Sequence, residues 1–232
     1  MGWLEEVLLF RSDRALSFLL FFLILLLFVV YPFFSLEGIG KYLIDVGFAL
    51  VLISGTFAVE NRALRRVAFG LAIVTLLTRW ATYTTPSREL LLTSVVVGMV
   101  FLVFAAVAIL GRVFAGGPVT RHRVEGAVAV YLLLGLIFGS AFALIAMTVP
   151  DAFALDTSGI AVTGWSRETY DQVMGASTYF SFITLTTVGY GDVTPLNEVA
   201  KQLAVLEALI GQLYPAILLA RLVSLQVTTR TE

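Results

Sequence analysis

Long apolar runs separated by short polar connections dominate the pattern of this chain. A helix needs about 20 apolar residues to cross a bilayer, and six stretches are long enough. They are roughly residues 15–34, 41–59, 66–83, 89–111, 126–149 and 198–226. A shorter helix is predicted between the last two spans, near residues 170–185. The pattern therefore predicts an all-α integral membrane protein with six transmembrane helices.

Composition supports a membrane protein and narrows its chemistry. The chain is 59% hydrophobic and 13% charged, whereas soluble domains are usually about 45–50% apolar and about 25% charged. A net charge of −1 argues against a nucleic-acid partner, which would select a basic face. The lack of cysteine excludes disulfides and thiolate metal sites, and His122 is the single histidine. We therefore expect no enzyme and no cofactor.

The basic residues predict the orientation of the chain in the membrane. Ten lie at one set of helix ends and five at the other, and the richer side usually faces the cytoplasm. Both termini are then cytoplasmic, and a short chain without large soluble domains suggests the plasma membrane of a prokaryote. The cytoplasmic group is Arg11, Arg14, Arg62, Arg65, Arg66, Arg112, Arg121, Arg123, Arg221 and Arg230, and the outer group is Lys41, Arg79, Arg88, Arg167 and Lys201.

The most informative segment is residues 186–192, Thr-Thr-Val-Gly-Tyr-Gly-Asp. Gly189 and Gly191 have no Cβ and take positive φ at little cost, so successive carbonyls can face the same side. Thr187 adds a hydroxyl to that row of oxygens. Such a row can replace the hydration shell of a cation.

With its context, this segment resembles the filter of potassium channels in the tetrameric cation-channel superfamily, which carries TVGYG. A spanning helix, a re-entrant helix, the filter and a second spanning helix follow in the family's order over residues 126–226. The resemblance implies a homotetramer, in which each chain needs three further copies of itself, with K⁺ as the permeant ion and lipid around it. It assigns ion binding to Thr187, Val188, Gly189, Tyr190 and Gly191, and filter support to Thr186, Asp192, Tyr179 and Phe180.

Details of the re-entrant helix follow from the same stretch. Thr169-Tyr-Asp-Gln172 has the capping-box pattern, which predicts a helix from Tyr170 to about Thr184. Tyr179 and Phe180 stand where the family has an aromatic cuff, often of two tryptophans. Ile183 stands where some members carry a buried glutamate that pairs with the aspartate after the filter, so we expect Asp192 to lack that partner.

The last span carries a second constellation. The resemblance makes Gly211 a hinge glycine, and Pro215 removes a hydrogen bond from the same turn, so a bend at 211–215 is expected. In the same register Gln212, Pro215 and Leu219 face the central cavity. Glu207 is an ionisable group inside a membrane helix, which usually faces protein or water. It either lines the cavity or bonds to the pore helix behind the filter.

The first four spans differ from a voltage sensor. Residues 89–111 contain no arginine, so this helix is not expected to carry gating charge across the field. Asp45 and Arg79 are predicted to form a structural ion pair. Residues 112–125 include Gly-Gly-Pro, which breaks helices, so the peripheral helices are expected to pack beside their own pore half without domain swapping.

The predicted organisation has four parts. Residues 1–14 form an amphipathic interfacial segment or a frayed terminus, 15–111 a peripheral four-helix domain, 112–125 a cytoplasmic linker, and 126–232 the pore domain. Gly135-Leu-Ile-Phe-Gly139 is a GxxxG step that we expect to pack against the inner helix.

Two alternatives to a potassium channel stay open. A transporter subunit would carry several degenerate pore loops, whereas this chain has one complete loop. A non-conducting or modulatory sensor subunit would retain the pore fold without needing an intact filter.

Overall fold

The computed structural model describes residues 3–33, 40–115, 120–155 and 165–228. Helices make up almost all of it, and two three-residue strands complete it. The elements in chain order are α1 (Trp3–Ile24), a π-helical stretch (Leu25–Val30), α2 (Tyr31–Phe33), α3 (Gly40–Ala58), α4 (Arg62–Thr84), α5 (Arg88–Phe114), α6 (Arg121–Thr148), β1 (Phe153–Leu155), α7 (Arg167–Leu185), β2 (Val193–Pro195) and α8 (Glu198–Thr228).

Five helices are long and apolar enough to cross a membrane, namely α3, α4, α5, α6 and α8. The first predicted span corresponds to a shorter apolar stretch, Arg14–Val30, so the count of six stays a prediction. Helix α1 runs without a break from Trp3 to Ile24. The border predicted between residues 14 and 15 therefore does not fall at a helix end.

The start of α7 differs from the prediction. The helix begins at Arg167, and Ser166 is its N-cap: the Ser166 hydroxyl accepts a hydrogen bond from the Thr169 backbone N–H at 3.1 Å. The capping box predicted at Thr169 is thus wrong. A serine three residues upstream caps the helix instead, by accepting from an earlier orphan N–H, that of Thr169, and the helix begins three residues before Tyr170.

Helix α6 is the centre of the packing. Its apolar side chains, such as Leu133, share one core with Leu19 of α1 and with Phe101 and Ile109 of α5, all essentially inaccessible to solvent. Within its membrane-length stretch 61% of the residues are buried, against 11% for α8. The peripheral helices therefore pack on the pore half of the same chain, and α8 is left largely uncovered.

The GxxxG step of α6 contacts α7 and not α8. A Cβ on Gly135 would lie 2.5 Å from the Phe182 ring, and a Cβ on Gly139 would lie 3.0 Å from the Cα of Thr178. The prediction that this step packs against the inner helix is wrong. A small-residue groove admits whichever helix lies nearest, and here that helix is α7.

In chain order, β1 precedes α7, and β2 follows the loop after α7. They pair antiparallel, with Ala154 opposite Thr194. The Leu196 N–H extends the contact by donating to the Ala152 carbonyl at 2.8 Å. The segment after α6 is thereby joined to the segment that follows residues 186–192.

Candidate functional site

The loop after α7 alternates in backbone hand. Thr187, Gly189 and Gly191 have φ of +58°, +52° and +80°, while Val188 and Tyr190 between them are not left-handed. In an extended chain successive carbonyls point to opposite sides, and this alternation turns them towards one side. The positive φ expected of the two glycines is present.

Thr187 was not expected to be left-handed. A residue with a Cβ adopts positive φ only at a cost of about 1–3 kcal/mol, when its surroundings impose it. Here the preceding turn does so: the Thr187 N–H donates to the Thr184 carbonyl at 2.9 Å, and the Val188 and Gly189 N–H groups donate to the Ile183 carbonyl at 2.9 and 3.1 Å. The loop is therefore anchored to the end of α7 by its own backbone.

The C-terminal end of the loop is held by Tyr179. Its hydroxyl donates to Oδ2 of Asp192 at 2.7 Å, and the Val193 N–H donates to Oδ1 at 3.1 Å. The hydrogen bond to Asp192 raises the pKa of the Tyr179 phenol above its usual value, so the phenol keeps its proton at neutral pH. Asp192 has no glutamate partner from position 183, which is Ile183; the Tyr179 hydroxyl is its partner instead, which sequence reasoning did not foresee.

Phe180 lies away from the loop. It is 5% exposed, and its ring makes edge contacts with Phe142 at 4.8 Å and Phe153 at 5.4 Å between centroids. Of the two predicted cuff residues, only Tyr179 therefore reaches the loop within the chain. Phe180 packs α7 against α6 and β1.

The C-terminal end of α7 is enclosed by α6 and α8. The Tyr131 hydroxyl donates to the Leu185 carbonyl at 3.2 Å, and the Thr186 hydroxyl donates to the Phe182 carbonyl at 2.6 Å. A Cβ on Gly211 would overlap the Leu185 carbonyl. Gly211 therefore has a packing role that sequence reasoning missed, and α8 continues as one helix through Gly211 and Pro215.

The predicted cavity residues are uncovered in the single chain. Gln212, Pro215 and Leu219 are all exposed on α8. Val188 and Tyr190 of the loop are 52% and 74% exposed. Large apolar side chains on a membrane helix and its adjoining loop thus point away from their own chain.

Glu207 lies behind the loop, fully buried. Its Oε1 is 2.5 Å from the Ser181 hydroxyl oxygen, which is also 2.7 Å from the Gly135 carbonyl oxygen. Its Oε2 has no hydrogen-bond partner. Of the two positions considered for Glu207, the structure has the contact with the pore helix.

A buried cluster of charges holds the N-terminal end of α7. Asp45 of α3 pairs with the Arg79 guanidinium of α4 and accepts from the Tyr83 hydroxyl at 2.5 Å. Asp45 also pairs with Arg167 of α7, whose Nη2 donates to both Asp45 carboxylate oxygens at 3.1 Å. The predicted Asp45–Arg79 pair is confirmed as a structural ion pair.

Arg167 extends this cluster in two further directions. Its Nε donates to both oxygens of Asp171 at 3.0 Å, and its Nη1 donates to the Thr82 hydroxyl at 2.7 Å. Sequence reasoning missed the pairing of Arg167 with Asp171, because Arg167 was placed in the connection before the predicted helix, where a charge resembles part of a solvated loop. Their spacing of four residues at the start of α7 was the available signal.

Comparison with known proteins places a channel signature on this part of the chain. Residues 128–227 match the model of a family described as "Ion channel", a segment that holds most of α6 and α8 together with α7 and the loop. Protein LctB of Bacillus caldotenax is 49% identical over 47 residues, which is 20% of this chain and 34% of that protein. Protein LctB of Geobacillus stearothermophilus is 47% identical over 47 residues, with the same coverage.

The matched segment spans about a third of the length of these curated relatives. No solved structure matches the chain. The matches support an ion channel built on the second half of an integral membrane protein.

Proposed function

We propose that this protein is a potassium-selective channel that passes K⁺ passively through a pore of four identical chains. The observation that carries the proposal is the alternating hand at residues 187, 189 and 191, within a TVGYG sequence. The family match over residues 128–227 supports the same class of function.

The ion sites follow from that backbone. Carbonyl oxygens of Thr187, Val188, Gly189 and Tyr190, with the Thr187 hydroxyl, surround a dehydrated K⁺ when four copies face one axis. Gly191 allows the last turn of the loop. The carbonyl end of α7 adds a partial negative charge below these sites, which favours a cation there.

Four copies are proposed because one chain supplies one quarter of such a ring. The low burial of α8 supports this, since its exposed face is available to neighbouring copies and to the cavity. Gln212, Pro215 and Leu219 line that cavity in the proposed assembly. The channel lies in the plasma membrane of a prokaryote, with both termini cytoplasmic and lipid around it.

Gating by voltage through α5 is not part of the proposal. Arginines lie near its two ends, at Arg88 and Arg112, and its apolar middle has none. Charge that stays near the membrane surfaces moves little in the transmembrane field.

Bilayer recording of purified, reconstituted protein under a K⁺/Na⁺ gradient tests the proposal. We expect the current to reverse near the K⁺ equilibrium potential, with an open probability that depends weakly on voltage. Gly189→Ala should abolish the current or remove its selectivity for K⁺ over Na⁺, because an L side chain at that φ is strained. Gly70→Ala is the matched control, since a Cβ there meets nothing within 4 Å.

Equal Na⁺ permeability would contradict the assignment of the filter. Steep voltage activation would contradict only the assignment of α5. If correctly assembled protein carries no current, the alternative of a non-conducting sensor subunit would be favoured.

A further inference from the structure

Three helices meet at one buried polar contact behind the loop. Gly135 of α6 supplies a backbone carbonyl, Ser181 of α7 a hydroxyl and Glu207 of α8 a carboxyl oxygen. The Ser181 oxygen is 2.7 Å from the first and 2.5 Å from the last. Both separations lie within the range of O–H···O hydrogen bonds.

The two hydrogen bonds need two hydrogens, and Ser181 has one. A serine hydroxyl donates once, and a backbone carbonyl can only accept. If Ser181 donated to Glu207, two oxygens without a hydrogen between them would face each other at 2.7 Å. Both contacts are satisfied only when Ser181 donates to Gly135 and Glu207 donates to Ser181.

The surroundings of Glu207 also favour the arrangement in which Glu207 carries a proton and donates it to Ser181. Its Oε2 has no hydrogen-bond partner in the structure, and an unpartnered buried carboxylate oxygen is far more costly than an unpartnered carbonyl oxygen. From α6 the titratable side chain that faces it is Tyr131, whose hydroxyl donates to Leu185 instead. From α7 the facing group is Ser181, and no arginine or lysine among the described residues pairs with Glu207.

We propose that Glu207 is a neutral carboxylic acid that donates to Ser181, which in turn donates to Gly135, and that this relay positions the pore helix between α6 and α8. Glu207 is thereby a positioning residue for the loop. Its role in conduction rests on the proposed channel function, whereas its protonation does not.

Loss of the proton breaks the relay. An ionised Glu207 would need the single hydrogen of Ser181, which would release the Gly135 carbonyl and leave a buried charge without a cation. Charge burial of this kind disturbs the packing around it. The relay therefore makes the position of α7 sensitive to alkaline pH.

Infrared difference spectroscopy tests the protonation directly. We expect the wild-type protein at neutral pH to show the carbonyl stretch of a protonated carboxyl group, and Glu207→Gln to lack it. Glu198→Gln is the control, because Glu198 is an exposed residue on the same helix that pairs with Lys201. A carboxylate signal alone at Glu207 would overturn the proposal.

Ser181→Ala should keep the carboxyl band but shift it, since the acid loses its acceptor. An unshifted band would show that Glu207 does not donate to Ser181 and would overturn the relay. These infrared bands do not depend on ion conduction. If the carboxyl band is present but no K⁺ current is measured, the proposed channel function is refuted and the proposed protonation of Glu207 is not.

Recordings at several pH values test the positioning role. Glu207→Gln keeps a neutral donor towards Ser181, so we expect it to conduct at neutral pH. Wild-type open probability should fall at alkaline pH by about tenfold, on the scale of one buried hydrogen bond lost, and that of Glu207→Gln should stay nearly flat. The same alkaline loss in Glu207→Gln would overturn this role.

Discussion

The two ends of helix α7 are held by different chemistry. Its N-terminal end is fixed by charge, through Arg167, Asp45 and Arg79. Its C-terminal end is fixed by close approach, where Gly211 and Gly135 leave room for the Leu185 carbonyl and the Phe182 ring. The N-terminal end thus depends on matched charges and the C-terminal end on the absence of side-chain atoms.

This difference separates two kinds of partner. The charged end ties α7 to α3 and α4 of the peripheral domain, which family comparisons do not reach. The glycine end ties it to α6 and α8 within residues 128–227. Helices α3 and α4 are therefore joined to α7 through charge pairs, and α6 and α8 through close packing at glycines.

The largest expected effect comes from Asp45→Ala. It leaves Arg79 and Arg167 buried without a shared carboxylate, and breaking a buried pair on one side costs about 3–5 kcal/mol. Unfolding in detergent should show the loss. Glu198→Ala, which removes an exposed partner of Lys201, should cost at most about 1 kcal/mol. Equal losses for the two variants would refute the charged anchor.

Next is Gly211→Ala, which places a methyl group against the Leu185 carbonyl. Backbone cannot move aside as a side chain can, so we expect a loss of up to about 3 kcal/mol and impaired K⁺ current. Gly70→Ala, in open space on α4, should instead gain up to about 1 kcal/mol from helix propensity. Normal stability and current in Gly211→Ala would exclude the close approach.

A smaller effect is expected from Gly135→Ala, because the Phe182 ring can shift. We expect a loss of about 1 kcal/mol, at the lower end of the range for overpacking. Phe182→Leu should recover part of it, with a coupling of about 0.5–3 kcal/mol in a double-mutant cycle. Strict additivity would show that the GxxxG step does not pack on α7.

The smallest expected change is that of Tyr179→Phe, which removes the hydrogen bond to Asp192. This hydrogen bond is exposed to solvent, so the fold should persist, whereas the K⁺ current should decline faster during sustained opening. Asp192→Asn keeps an oxygen acceptor for the Tyr179 hydroxyl, so its K⁺ current should decline less than that of Tyr179→Phe. Unchanged current in Tyr179→Phe would mean that this bond does not support the loop.

Sequence reasoning succeeded where one residue type has one plausible use. Gly189 and Gly191 predicted positive φ, and Asp45 with Arg79 predicted a pair, because charges in apolar helices must meet. It failed where the partner lies elsewhere in the chain. The sequence around Gly135 does not indicate which helix packs into the groove of the GxxxG step. A threonine at position 187 does not indicate a left-handed backbone.

Overlapping signals caused the remaining errors. Ser166 and Thr169 both suit an N-cap, but the prediction rested on the capping-box pattern at Thr169 alone. Gly211 fits both a hinge and a close approach, and the sequence cannot separate flexibility from lack of space. Arg167 was counted only as a charge on the outer side, since its partner Asp45 lies more than a hundred residues earlier.

The pairing of β1 with β2 has a consequence for biogenesis. These strands bracket α7 and the loop and join within one chain, so a newly inserted polypeptide can shape this segment before it meets any other copy. In the proposed four-chain assembly, each copy would then contribute a segment that its own chain has already shaped.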